Sequence, residues 1–377
     1  MRDLLVSPHT PVLRSGRALR TYGVARALAL HGGLDLLYAR FEAPEPDAAF
    51  AAIGGIELHE AIPSRGARRA LAYARARAGG VPSAIARGVS PELAACAECL
   101  ARDPGRGRVI ADGPVAAAAL ARLARGRPVI YNAHNFESGF RHELGGARRA
   151  EERRLRRFER ALLARASESW MVSEPDLAAA RQLCPTARLR LVPNVLDVAA
   201  IEPLPAIARE PRAVFVANFA YAPNRDGLRF LLEDVFPRVW SEQPNATLTL
   251  VGAGLDDLGS GALLGDPRVQ ALGFVEDLRA VYSRARCAVV PLRLGGGTPL
   301  KLLEALAYGL PAIATARATA GLAVRDGEHC LIADGAGAFA AALCRVLRDG
   351  APELGARGRA LVAQRYSVEA LARLLAA

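Results

Sequence analysis

Pro291-Leu-Arg-Leu-Gly-Gly-Gly-Thr-Pro-Leu-Lys-Leu-Leu-Glu-Ala-Leu-Ala-Tyr-Gly-Leu-Pro311 is the stretch whose reading sets the fold. Running into it, Cys287-Ala-Val-Val-Pro-Leu292 is an apolar, β-favouring segment and predicts a buried strand. Gly295, Gly296 and Gly297 then let the backbone turn sharply and approach a ligand closely. Thr298 and Pro299 predict a helix start, with Thr as N-cap and Pro at the first helical position. Leu302, Leu303, Leu306 and Ala307 share one face of that helix, and Gly309 with Pro311 ends it. A helix N-terminus presents free N–H groups and the positive end of the macrodipole, so it attracts anions. Lys301 adds a full charge in the first turn. It is the sole lysine in a chain with 49 Lys+Arg. A slim ammonium enters a glycine-lined phosphate pocket that the broad guanidinium fork does not. Glu304 lies on the same helix face as Lys301, and two roles stay open for it. It accepts hydrogen bonds from ribose hydroxyls beside the phosphates, or it is simply the intrahelical partner of Lys301.

The whole-chain numbers frame that site. A length of 377 residues fits two domains, each able to bury a core. Apolar content of 51% with only 6% aromatic residues suits an Ala/Leu/Val-rich α/β protein. No run reaches the roughly 18 apolar residues a membrane span requires. Met1-Arg-Asp-Leu-Leu-Val-Ser-Pro-His9 reads as a strand entering a turn and not as a signal peptide, so a cytoplasmic location is expected. The six cysteines are scattered, and Cys96/Cys99 has no second pair to complete a zinc set. No metal site is expected. A net charge of +11 raises nucleic acid as a partner, but a nucleic-acid binder would need a contiguous basic stripe with aromatics, which this sequence lacks. The arginines concentrate once, from Arg148 to Arg160, interleaved with Glu151, Glu152 and Glu159. That helix reads as a solvated face with i,i+4 ion pairs.

In chain order, residues 2–7 predict a first strand. The loop from Pro8 leads through Ser15, Gly16 and Arg17 into a helix over 17–31. The end of a first strand is where doubly wound sheets place ligands, although a plain βα turn fits the same residues. Leu34–Ala39 predicts the second strand, and 45–105 reads as polar, helical and irregular. Arg108–Asp112 and Pro128–Ala133 predict two further strands. The latter ends in His134-Asn-Phe-Glu137, a polar cluster at a strand's C-terminal end. Ser169–Ser173 is a strand and Ser173 caps the next helix. Residues 198–211 carry Pro203, Pro205 and Pro211 and read as a linker. Ala213–Asn218, Thr247–Val251 and Val269–Leu272 predict strands of a second domain. Two alternating βα halves imply two doubly wound domains facing a cleft.

The segment Gly295–Leu322 resembles the donor-binding segment of family 4 retaining glycosyltransferases. The features shared are a glycine-rich loop, a helix bearing Lys301 and Glu304, the turn Ala307-Tyr-Gly-Leu-Pro311, the strand Ala312–Thr315, and the pair Gly321-Leu322. Leu189-Arg-Leu-Val-Pro-Asn194-Val-Leu-Asp197 and Phe219-Ala-Tyr-Ala-Pro-Asn224-Arg-Asp226 are similar to further family elements. One departure is that Gly296 stands where the family's first glutamate usually falls; another is Pro299 in place of an arginine. The resemblance implies a GT-B fold, with an acceptor-side domain at 1–197, a linker at 198–211, a donor domain at 212–360 and a helix at 361–377 returning to the first domain. It implies transfer of a hexose from a nucleotide-diphosphate sugar to a glycan, lipid-linked or small-molecule acceptor, without metal or cofactor. A nucleotide-sugar-binding protein without turnover is the alternative. His134, Lys301 and Glu304 take the catalytic positions, with Glu137 near His134. Ser15, Gly16, Asn218, Arg225, Gly295, Gly296, Gly297 and Thr298 take the donor and phosphate positions. Asn218 replaces an arginine of more distant relatives, and Arg225 restores its charge unless the loop merely caps a helix through Asp226. Phe274 and Val275 take the nucleobase position, or pack in the core. The basic helix then becomes a dock for anionic lipid head groups, placing the protein in the cytoplasm, peripherally at the inner face of the membrane, in polysaccharide biosynthesis.

Overall fold

The computed structural model of the protein describes residues 1–13, 15–41, 45–139, 149–205, 210–255, 265–295 and 298–376. The chain forms two compact units, one of Met1–Val195 with Val368–Ala377 and one of Leu196–Ser367.

Unit 1 is built on a seven-stranded sheet in the order β3-β2-β1-β4-β5-β6-β7. Its strands are β1 (Arg2–Ser7), β2 (Leu34–Ala39), β3 (Ile56–Ala61), β4 (Arg106–Asp112), β5 (Ile130–Asn132), β6 (Glu168–Met171) and β7 (Leu189–Leu191). Every pairing is parallel. Parallel strands need crossovers that cover both faces, which explains why β2 is buried along its whole length. β3 corrects the reading of 45–105 as irregular. Ile56-Glu-Leu-His59 alternates apolar and polar residues, and the edge position leaves Glu57 in water.

Unit 2 repeats the plan with β8 (Arg212–Val216), β9 (Thr247–Val251), β10 (Val269–Ala271), β11 (Cys287–Val290), β12 (Ala312–Ala314) and β13 (Leu331–Ile332). The order is β10-β9-β8-β11-β12-β13, again all parallel. Counted from its own first strand, this sheet runs 3-2-1-4-5-6, the same doubly wound order with which unit 1 begins. The order reverses between β1 and β4 in one unit and between β8 and β11 in the other. Those two points are where the loops at strand ends diverge and leave room for a ligand.

Two helix starts differ from the sequence reading. Pro299, not Thr298, stands at the cap of the Leu300–Ala307 helix, with extended ψ of 104° and no side-chain cap. The proline ring offers no acceptor, so no cap side chain takes up the first-turn N–H groups, although Leu302 N bonds Pro299 O at 3.0 Å. Asp226 does not cap. The Ala222–Arg229 helix starts after Tyr221 and contains Asp226, which pairs with Arg293. Ser173 does cap its helix, accepting from Asp176 N.

Candidate active site

At the switch point of unit 2, Lys301 leans across to β8. Its Nζ donates to Asn224 Oδ1 at 2.6 Å and lies 5.0 Å from the centre of the Phe215 ring. Asn224 is buried and is itself fixed, donating to Asn218 O at 2.7 Å. Half-buried against this apolar floor, with a neutral partner and no carboxylate among the described residues, the ammonium is held down at about 7 by desolvation. Glu304 is pushed up to about 7 for the same reason, partly offset by the hydroxyl of Tyr282, which donates to its Oε2 at 3.2 Å. The intrahelical pairing of Lys301 with Glu304 is therefore not what forms. Each is tied to another element, and each is kept close to losing its charge.

The surrounding loops press tightly together. Gly295 has φ of +100°, and a Cβ there would lie 3.3 Å from Tyr221 Oη and 3.4 Å from Pro223 Cγ. Arg317 Nε holds the Gly295 carbonyl at 2.6 Å. Gly252 comes so near β8 that a Cβ would lie 1.7 Å from Ala217 O. Asn218 is exposed and turns its Oδ1 back to Ala220 N at 3.0 Å. Arg225 is exposed too, its guanidinium donating to Ala220 O at 2.8 Å. Thr298 is buried beside the helix start. The structure thus gathers Asn218, Arg225, Gly295, Thr298 and Lys301 around one helix N-terminus. Gly296 and Gly297 lie outside the described residues.

Phe274 does not pack in the core. It is 65% exposed at the end of β10, and Val275 is half-buried. Among the described residues, Tyr221, Leu272 and Leu294, the other exposed large apolar side chains of this unit, also follow the C-terminal ends of strands.

Unit 1 has its own polar centre. His134 is buried, and its Nε2 is 2.8 Å from Asp112 Oδ1. Asp112 also accepts from Thr21 Oγ1 at 2.6 Å and Asn132 Nδ2 at 2.8 Å. Burial alone would raise this carboxyl. The His134 imidazole, followed by these hydrogen bonds, holds it below the usual range. On the far side of Asn132, the buried Arg20 donates to Asn132 Oδ1 at 2.6 Å, Asn194 Oδ1 at 3.0 Å and Val192 O at 3.0 Å. One amide thus bridges a buried cation and a buried anion. Gly113, with φ of +81°, lies under the imidazole: a Cβ would meet the ring at 3.1 Å. Ser15 caps the Gly16–Ala29 helix through Ala18 N at 3.3 Å, as a plain βα turn would, and Gly16 is exposed with open space around it. Glu137 offers its main-chain N–H to the buried Glu159 at 2.8 Å.

Sequence reasoning missed Asn224, Tyr282 and Arg317, and the trio Asp112, Thr21 and Arg20. Asn224 stood in the quoted loop, but only the fold shows it reaching Lys301. The buried arginine had no signal, because it is one of many.

Comparison with known proteins agrees with this geometry. Residues 210–349 match the family model described as Glycosyl transferases group 1. No curated protein matches the chain in sequence. Among solved structures, sucrose-phosphate synthase of Thermosynechococcus elongatus superposes with TM-score 0.74 at 20% identity, covering 100% of this chain and 98% of that one. HepE of Anabaena in complex with UDP and glucose gives 0.71 at 16%, covering 99% and 98%. A TarM variant of S. aureus in complex with Fondaparinux, alpha-GlcNAc-glycerol and UDP gives 0.74 at 9%, covering 100% and 99%. Each unit's sheet and the full-length coverage are those of the GT-B fold.

Proposed function

We propose that this chain, which carries a group 1 glycosyltransferase domain over residues 210–349, is a retaining hexosyltransferase. It takes its sugar from a nucleotide-diphosphate donor and passes it to a glycan, lipid-linked or small-molecule acceptor. Lys301 carries the reading. The only lysine of the chain sits at a helix start behind a glycine loop, bound to a neutral amide and depressed to about 7. A cation kept without a carboxylate is poorly compensated until an anion arrives, and such perturbed groups mark functional sites. The leaving diphosphate is that anion. Lys301, the N–H groups at the head of the Leu300–Ala307 helix and the guanidinium of Arg225 stabilise the charge that develops on it.

Glu304, its carboxyl raised to about 7 by burial, holds the ribose hydroxyls. Phe274 stacks on the base, with Val275 beside it. His134, oriented by Asp112, serves the sugar. No enzymatic nucleophile enters the scheme, and the positive charge comes from protein groups, so the reaction runs without metal or added cofactor. Among the described residues no helix is long and apolar enough to cross a membrane. The Arg149–Arg165 helix is assigned to the cytoplasmic face of a membrane, in polysaccharide assembly.

The test is donor binding and slow donor hydrolysis across UDP-, GDP- and ADP-sugars. UDP-sugars come first, because the HepE and TarM structures named above hold UDP. One donor should be hydrolysed by the wild type and not by Lys301→Ala. Binding without hydrolysis, with acceptors also supplied, would favour a non-catalytic binder, a role consistent with Gly296 in the glutamate position. No binding of any nucleotide would overturn both readings.

A further inference from the structure

Unit 1 carries a groove that the proposed reaction does not use. It has a volume of about 280 Å³ and runs between the Gly113–Ala119 helix, with the turns that follow, and the basic Arg149–Arg165 helix. Ala118 and Ala121 line one side, and Phe158 and Ala161 the other. Side chains this small do not close the gap between the helices, so apolar surface that a folded core would cover stays open: Ala161 is exposed and Phe158 only half-buried. Tyr131 lines the groove as well. Its ring is almost fully buried, and its hydroxyl has no hydrogen-bond partner among the described residues.

The charges about this groove are arranged unevenly. Arg157, Ala161 and Arg165 form an i, i+4, i+8 stripe on one helix face, and all three border the groove. Neither arginine has an ion-pair partner among the described residues, and two of the helix's three carboxylates are engaged elsewhere. Glu151 turns to Arg77 at 3.1 Å, with Arg154 at 3.8 Å, and Glu159 is buried against Glu137 N and Ser138 N. The expected ladder of i,i+4 pairs along this helix is therefore absent among the described residues. At Gly80 and Arg157 the groove meets a second hollow of about 620 Å³, bordered by Arg77, Arg153 and Arg154 and by Glu151. Glu151 pairs with Arg77 and Arg154, which leaves Arg153 and Arg157 as the hollow's uncompensated cations among the described residues. An apolar slot thus opens onto a cluster of guanidinium groups.

We infer that this groove binds the hydrocarbon chain of an anionic amphiphile, with its phosphate or carboxylate head on Arg157 and Arg153. The apolar, alanine-rich lining of the slot suits a hydrocarbon chain. The arginines supply what an anionic head needs in order to leave water. Whether the head is a lipid phosphate or a fatty-acid carboxylate, the recognition chemistry is the same. The inference does not depend on the transfer reaction; it deepens the proposed membrane-facing role of the Arg149–Arg165 helix.

The full-length protein should be titrated calorimetrically with dodecyl phosphate below its micelle concentration, and separately with dodecanoate, dodecyl maltoside and inorganic phosphate. Dodecyl phosphate should bind at one site. Inorganic phosphate, lacking the chain, and dodecyl maltoside, lacking the charge, should each bind at least about tenfold more weakly. Ala161→Phe fills the slot and Arg157→Glu reverses its mouth, and each should weaken dodecyl phosphate by at least about tenfold. Arg157→Glu lies on the surface and keeps the test valid if Ala161→Phe does not fold. Equal binding of dodecanoate assigns the site to anionic heads in general, and weaker binding assigns it to phosphates; both support the proposal. Lys301→Ala should leave the affinity unchanged, which separates this site from the donor site. Absence of dodecyl phosphate binding, or affinity equal to wild type in both groove variants, overturns it. So does equal affinity for dodecyl maltoside.

Discussion

Lys301 and Glu304 lie one helical turn apart and are perturbed in opposite directions to the same value, about 7. The consequences for stability differ in sign. Lysine is normally protonated far above 7, so a folded-state value near 7 penalises the folded protein fully below that pH. The penalty fades as pH rises toward the lysine's unfolded value. For Glu304 the folded value lies above the unfolded one. Its penalty is absent in acid and grows as pH rises through about 7. Lys301→Met should therefore stabilise the unliganded protein most at pH 6, and Glu304→Gln most at pH 8. Each gain should be roughly 1–3 kcal/mol, less than the full conversion of the shift because both groups keep some access to water. Denaturant midpoints across pH 5–9 read this directly. Parallel pH profiles for the two variants would contradict it. His134 is tested by geometry instead. Gly113→Ala introduces a Cβ 3.1 Å from the imidazole at a φ of +81°. It should lower sugar transfer at least about tenfold by displacing the ring, while donor affinity is retained. Unchanged transfer would remove His134 from the reaction.

Elements carry the site because glycines let them approach one another. The turn after β9 is the tightest case, with Gly252 at φ of +135° and no room for a Cβ beside Ala217 O. Gly252→Ala should push the 217–224 loop outward, carrying Asn224 away from Lys301. Donor binding should fall by at least about tenfold, with a stability loss of roughly 2–4 kcal/mol. Isothermal titration of the donor with Gly252→Ala checks it, and wild-type affinity would show that the loop is free to yield. Much at this scale was legible beforehand. β1, β2 and β9 follow directly from apolar runs ended by turn residues, and Lys301 stood out because it is the only lysine. The alternating Ile56–Ala61 strand was hidden, because at a sheet edge half its side chains are charged and the segment reads as surface. The cap at Pro299 was hidden because Thr-Pro satisfies the helix-start pattern at two registers, one residue apart. The polar centre of unit 1 was legible only in His134. Asp112, Asn132 and Arg20 come from three elements, and no local pattern brings them together.

At the scale of the whole molecule, one doubly wound order is used twice, and the chain closes by returning to its first unit. The Val368–Ala376 helix follows unit 2 in sequence but packs in the core of unit 1, where Val368, Leu371, Ala372 and Leu375 join Val24, Leu28, Leu36 and Trp170. Its last turns also accept hydrogen bonds from Arg108, at Leu375 O, and from Arg190, at Leu374 O. Removing residues 368–377 would bare that apolar face and strip about 5 kcal/mol or more from unit 1, taking roughly 1.5–3 kcal/mol for each large buried aliphatic side chain. Unit 2, whose core holds Phe215, Phe236 and Phe339, loses no core residue. The chain's two tryptophans make this measurable, because Trp170 is buried in unit 1 and Trp240 in unit 2. With Trp240→Phe, the truncated chain should show the emission of Trp170 shifted red, or a much lower denaturant midpoint. With Trp170→Phe, the midpoint of Trp240 should stay within experimental error of the full-length value, and the nucleotide-sugar that the wild type binds should still raise it. Equal loss at both tryptophans would mean that the two units unfold as one, and that the terminal helix stabilises the molecule as a whole and not the unit in which it is packed.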